Sequence, residues 1–305
     1  MEVGRTGGQG FGRLPCPGDI SGWGVIHDRG SSLPAPSSDK ELSMSASSIH
    51  TTCWGEAGPT VVLVHGSARG SKVGGDRHFS AQHALADRGW RLLVPDRPGH
   101  GRSPAPAYRE TPEGDAAWVV DLLGDGGHLV GHSFGGAVAL AAASRRPEAV
   151  RSLTLIEPAL QKLCTDDPRV RRFVLRIVAA QLFSLGGTAR VRRFAKLVGI
   201  PSEIRGGKDP EELKAMGKGL ARIEVPSAAT IRKQLATIRQ AGIPFQIIEG
   251  GWNPAFAAVA ERAAELGGGR HHVIPSTHHF PNIVSDEFNR LLDAFMRDAE
   301  TARAA

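Results

Sequence analysis

At His128-Leu129-Val130-Gly131-His132-Ser133-Phe134-Gly135-Gly136-Ala137-Val138-Ala139-Leu140 a short apolar run stops at Gly-x-Ser-x-Gly, and a helical pattern of small residues begins at once. Few folds can house a strand that turns straight into a helix at one serine. The turn is strained, and both flanking elements must pack tightly around it. Gly131 and Gly135 are the residue type this needs, because the neighbouring backbones approach too closely for a β-carbon. Ser133 then stands at the apex with its hydroxyl above the sheet edge.

The remaining pattern alternates strand and helix. Short, apolar, mostly β-branched runs fall at 61–64, 91–94, 128–130, 152–156, 245–248 and 272–274. They suit strands of a parallel sheet covered on both faces. Helical patterns fall between them at 81–88, 114–123, 136–145, 256–266 and 286–299. Ser285 is placed to cap the last of these, and Gly89 and Gly267 sit where helices should end. The alternation predicts an α/β domain. Residues 158–241 interrupt it with several helix-like segments whose apolar positions include Phe173, Phe183 and Phe194. They are predicted to form a helical cap inserted over the carboxyl edge of the sheet, leaving 44–157 and 242–305 as the core. Residues 1–43 are rich in Gly, Pro and Ser without a period and cannot bury enough apolar surface to offset their ordering entropy. They are expected to be a disordered extension, with translation from Met44 as the alternative.

The formal charge of +6 raises the question of nucleic acid. Much of the excess sits in Arg169, Arg171, Arg172, Arg176, Arg190, Arg192 and Arg193, with no zinc-finger, RRM-like or basic-zipper pattern around them. A solvated helix face is the expected reading, with attraction of an anionic substrate second. Cys16, Cys53 and Cys164 are odd in number and widely spaced, which implies neither a disulfide framework nor a metal site. A reducing, cytoplasmic setting is expected. No apolar stretch reaches the roughly 20 residues that span a bilayer, and the first twelve residues lack a signal-peptide core. The expected partner is a small-molecule substrate, with neither nucleic acid nor membrane; the oligomeric state is not legible.

Three further motifs accompany the serine turn: Leu63-Val64-His65-Gly66, Val94-Pro95-Asp96-Arg97-Pro98-Gly99-His100-Gly101-Arg102-Ser103, and His279-Phe280-Pro281. In this order over 50–300 the chain resembles the α/β-hydrolase family. The resemblance implies a mostly parallel α/β-hydrolase sheet flanked by helices and topped by the inserted cap. It implies Ser133 as nucleophile, His279 as base, and an oxyanion hole made by the backbone N–H groups of Ser67 and Phe134. Neither metal nor organic cofactor is required. The chemistry is coherent: a serine hydroxyl needs a base near neutral pH, and an imidazole supplies one. Asp96 is read as a turn residue bonding local backbone.

The acid that orients the histidine departs from the family pattern. The usual aspartate position, in the loop after the next-to-last strand, is Asn253 here, within Glu249-Gly250-Gly251-Trp252-Asn253. An amide cannot stabilise an imidazolium by charge. Glu157 is the favoured replacement. It ends the strand at 152–156, 24 residues after Ser133, an arrangement similar to that of some haloalkane dehalogenases. Glu249, or no charged acid, are the alternatives. Trp252, Phe173 and Phe183 are the candidate substrate-binding residues. The expected activity is hydrolysis of an ester, thioester or lactone of a small hydrophobic substrate through an acyl-enzyme. Carbon–carbon bond hydrolysis, cofactor-free perhydrolysis, a lyase or cyclase activity, and an inactive ligand-binding member stay open beside it.

Overall fold

Alternating strand side chains sort the apolar residues into two cores, one on each face of a sheet. In the computed structural model, which describes residues 44–201 and 209–304, Val62 and Val64 enter one core while Val61 and Leu63 enter the other. The extension expected over 1–43 lies outside the described residues. Seven strands form the sheet: β1 (Thr51–Trp54), β2 (Thr60–Val64), β3 (Arg91–Pro95), β4 (Gly127–His132), β5 (Val150–Ile156), β6 (Phe245–Glu249) and β7 (Arg270–Val273). Their order is β1-β3-β2-β4-β5-β6-β7. All neighbours run parallel except β1, which pairs antiparallel with β3.

The helices are α1 (Gly75–His78), α2 (Pro112–Leu123), α3 (Phe134–Arg145), α4 (Pro168–Leu182), α5 (Gly187–Leu197), α6 (Pro210–Leu220), α7 (Ala228–Gln240), α8 (Pro254–Gly267) and α9 (Glu287–Ala304). Trp118 of α2, Leu140 of α3, Leu235 of α7 and Val259 of α8 belong to the first core. Phe288, Leu292 and Met296 of α9 join Phe79 and Leu85 in the second. The helix starts follow their capping residues. Thr111, Asp167, Asp209 and Ser227 each accept a backbone N–H from the first turn of α2, α4, α6 and α7, which satisfies a donor the helix itself cannot.

Several sequence expectations shift. The segment 158–241 is not uniform: α7 packs on α3 and α8 as the β5–β6 crossover and belongs to the core. Val191, Leu213, Met216 and Leu220 of α5 and α6 pack with Ala68 in a small core of their own, whereas α4 lies against α8 and sends Val170 and Phe173 into the first core. Residues Ser80–Arg88 form a 3-10 helix rather than an α-helix. Gly89 takes the left-handed turn as expected, but the turn after α8 falls on Gly268, one residue later than Gly267. No helix among the described residues is long and apolar enough to cross a membrane.

Candidate active site

Among the described residues three that are not glycine have positive φ: Ser67 at 94°, Ser133 at 57° and Glu157 at 39°. Each such conformation costs on the order of 1–3 kcal/mol and persists only where its surroundings over-determine it. All three follow the carboxyl ends of parallel strands, β2, β4 and β5, where α/β sheets present their ligands. The register explains the grouping. His132 lies opposite Ile156, so Ser133 and Glu157 leave adjacent strands at the same level.

Backbone bonds fix the serine turn. The Ser133 N–H donates to the Ile156 carbonyl at 2.9 Å, and the Ser133 carbonyl accepts from Gly136 and Ala159 at 3.0 and 2.9 Å. A β-carbon on Gly135 would stand 2.1 Å from the Val64 carbonyl oxygen, and one on Gly66 would stand 2.7 Å from the Ser133 β-carbon. Glycine at these positions lets the loop carrying Ser67 close on the apex of the turn. Ser67 and Phe134, whose N–H groups were assigned to the oxyanion hole, line one cavity together with Ser133 and His279.

His279 is held from several sides. Its N–H donates to the Gly199 carbonyl at 3.0 Å, and its ring packs against Phe256, His132 and Phe280. Its Nδ1 lies 2.5 Å from Glu157 Oε2. The other carboxylate oxygen, Oε1, accepts the Gly250 N–H and the Trp252 Nε1–H, both at 2.8 Å. Three N–H groups therefore converge on Glu157. Burial pushes its carboxyl up, to about 8, against the two fixed donors and with the Glu249 carboxylate adding to the rise. Burial pushes the His279 imidazole down, to about 3, and His278 acts in the same direction. Both shifts disfavour a buried ion pair.

The competing acids are accounted for elsewhere. Asn253 Oδ1 accepts the Ala255 N–H at 3.0 Å and caps α8. Glu249 Oε2 accepts the Gly251 N–H at 2.6 Å, while its Oε1 faces His271. His278 Nδ1 lies at 3.1 Å from the Ser276 hydroxyl. Asp96 is the turn residue expected, accepting the N–H groups of Gly75 and Arg102.

The cavity over Ser133 measures about 380 Å³, and Phe173, Val174 and Ile177 of α4, Phe194 of α5 and Met216 and Leu220 of α6 wall it. Phe173 therefore lies in the wall of this cavity, whereas Phe183 and Trp252, the other two candidates, do not. Phe183 ends α4 at 72% exposure, outside this cavity, because the helix turns its other face inward. Trp252 faces Glu157 and packs beneath Gly199 rather than lining the cavity.

Sequence reasoning passed over two networks. Arg97, fully buried, bonds Glu110 at 2.6 Å and Asp115 at 2.9 Å, and its guanidinium lies 4.5 Å over the Phe134 ring. Its N–H donates to His65 Nε2 at 2.8 Å, so His65 carries its proton on Nδ1 and donates to the Gly66 carbonyl. The two carboxylates of Glu110 and Asp115, 11 and 16 residues after the Asp96-Arg97-Pro98-Gly99 turn, were the available signal. In the second network His132 Nε2 donates to the His279 carbonyl at 2.7 Å and its Nδ1 accepts from His78 Nε2 at 2.8 Å. Spacing along the chain carries no trace of it.

A mostly parallel sheet flanked by helices, with a strained serine turn at its carboxyl edge, defines the α/β-hydrolase fold. The sequence profile described as alpha/beta hydrolase fold matches residues 59–197. Lipase LipV of Mycobacterium tuberculosis strain H37Rv is 37% identical over 136 residues, 43% of this chain and 49% of that protein. A 2-hydroxy-6-oxononadienedioate/2-hydroxy-6-oxononatrienedioate hydrolase of a Pseudomonas species is 34% identical over 114 residues, 36% of this chain and 40% of that protein. The matches thus span half or less of these curated relatives. A solved structure from work on carboxylesterases of Nitrososphaera gargenis superposes with a TM-score of 0.57 at 19% identity, covering 83% of this chain and 96% of its own. The chain therefore has the α/β-hydrolase fold, and its residues 59–197 match the sequence profile of that fold.

Proposed function

We propose that this protein is a serine hydrolase that cleaves an ester, thioester or lactone of a small hydrophobic acid through an acyl-enzyme. In this reading His279 removes the Ser133 proton as the hydroxyl attacks the carbonyl carbon. The N–H groups of Ser67 and Phe134 receive the oxyanion, and His279 returns the proton to the leaving group. Glu157 holds the Nδ1 proton so that the Nε2 lone pair faces the reaction. Water then repeats the sequence on the acyl-enzyme. The observation that carries the proposal is the 2.5 Å contact of Glu157 with His279 beside the strained Ser133 turn, around one apolar cavity.

The carbon–carbon hydrolase reading draws on the Pseudomonas relative, whose named substrate is a dicarboxylate. Two carboxylates inside the cavity would need cations there, and Lys162 is the cation among its described lining residues. An uncharged acyl moiety fits the walls better. Short-chain p-nitrophenyl esters should give a burst of p-nitrophenol, and a fluorophosphonate probe should label the wild type and leave Ser133→Ala unlabelled. Persistent labelling of that variant would move the nucleophile elsewhere.

A further inference from the structure

Helices α4 and α5 hold the charge imbalance of the whole chain. Between Pro168 and Ile200 there are eight arginines and lysines and no carboxylate, so the remaining sequence is net acidic. Arg171, Arg172, Arg176 and Arg192 are exposed, and none of them pairs with a carboxylate among the described residues. Repulsion among like charges disfavours such a surface unless something anionic meets it.

The same surface ends in an apolar tip. Leu175, Leu182, Phe183 and Leu185 are 61%, 73%, 72% and 96% exposed. Leu175, Val178 and Leu182 recur at helical spacing on the outer face of α4, while Phe173, Val174 and Ile177 of the inner face wall the cavity. Val178 belongs to both, at 45% exposure. Val178, four residues before Leu182 on the same helix, thus stands between the exposed tip and the cavity over Ser133. Beside the tip, Arg176, Arg193 and Lys196 line an open groove next to Phe183.

We propose that this face docks on an anionic lipid surface, with Leu182, Phe183 and Leu185 among the acyl chains and the surrounding arginines at the headgroup phosphates. An amphipathic helix with cations flanking protruding leucines and phenylalanine has the chemistry of interfacial binding. Near-complete exposure of the tip side chains suits insertion into a fluid layer. Val178, at the cavity wall, would bring an apolar molecule held at the tip close to the cavity. This replaces the sequence expectation of a merely solvated basic face without a membrane partner, and it involves no membrane-spanning segment. The docking does not depend on the chemistry at Ser133, so binding can be read without turnover.

The test is co-sedimentation of the full chain with vesicles of phosphatidylcholine alone and of phosphatidylcholine mixed equally with phosphatidylglycerol. The mixed vesicles should bind at least about tenfold more tightly, and high salt should weaken the difference. Each of Arg172→Gln and Arg176→Gln should lower binding about fivefold. Leu182→Asn with Leu185→Asn should lower it further, with hydrolysis of a soluble p-nitrophenyl ester and the thermal midpoint unchanged. Equal binding to both vesicle types, or none, would overturn the proposal. So would binding to soluble polyglutamate that matches the vesicles and ignores the leucine substitutions, since charge alone would then suffice. A dimer in light scattering that the same leucine substitutions dissociate would assign the tip to a second copy of the chain instead.

Discussion

At the scale of single residues, the proposed mechanism depends on where one negative charge sits. Glu157→Gln should lower kcat by about 10⁴, the loss seen when a triad acid becomes an amide, measured with a soluble ester under saturation. Asn253→Ala should keep its activity and lose only a helix cap, about 1 kcal/mol in urea unfolding. The reverse ranking would restore the loop after β6 as the source of the acid. Trp252 has a different signature. Its indole N–H stabilises the carboxylate form of Glu157, so Trp252→Phe should raise a pKa already pushed up to about 8. The base needs an ionised acid beside it, so activity falls as pH drops through this titration. The acid limb of kcat/KM should therefore move to higher pH, by about one unit for the loss of a charge-assisted hydrogen bond. An unmoved limb would separate the indole from the acid. Ser133 was legible because its strained turn requires glycines at fixed offsets. The part played by Trp252 was not, because an aromatic residue's spacing says nothing of which carboxylate its N–H meets.

At the scale of elements, Arg97 ties the loop after β3 to α2 and to the first turn of α3. Arg97→Ala would leave Glu110 and Asp115 facing each other without their shared cation in a buried site. A loss of about 3–5 kcal/mol in urea unfolding is expected, and Arg97→Lys should recover only part of it because an ammonium cannot fork between two carboxylates. A loss well under 1 kcal/mol would mean the network contributes nothing. The parallel strands β2 to β6 could be read from the sequence because burial on both faces forces apolar, β-branched runs. Of the edge strands, β7 was read only in part, as 272–274 against Arg270–Val273, and β1 was not. β1 is half-buried along its whole length and so shows no clean pattern, and exposure at both ends of β7 displaced its expected bounds. The division between inserted helices and core was equally hidden. α7 and α4 are both amphipathic, and only the packing of α7 on α3 and α8 reveals that it is a crossover.

At the scale of the whole molecule, buried imidazoles set the response to acid. Burial holds His65, His78, His100 and His132 well below the ordinary histidine range. Their contribution is fully present above the unfolded value of about 6.5 and is lost as pH falls below it, where the unfolded chain takes up protons the folded one refuses. Glu157 and Asp115, pushed up by burial, act in the opposite sense. The net slope between about pH 6.5 and 5 should still exceed ~1.4 kcal/mol per pH unit, the limit for one group. Urea midpoints across that range provide the measurement, and a flat profile would contradict the neutral burial of these rings. A histidine count in the sequence gives no such forecast, since exposure decides it. Finally, because the favoured acid ends β5 rather than following β6, the serine and its charged partner both precede the whole α4–α6 excursion in the chain. Gly199, whose carbonyl accepts the His279 N–H, lies inside that excursion between α5 and α6, so remodelling of the roof must leave this contact in place. Because Phe173 of α4 packs on Phe256 and Phe256 on the His279 ring, a library confined to the cavity-facing positions of α5 and α6 is expected to vary selectivity more than reactivity.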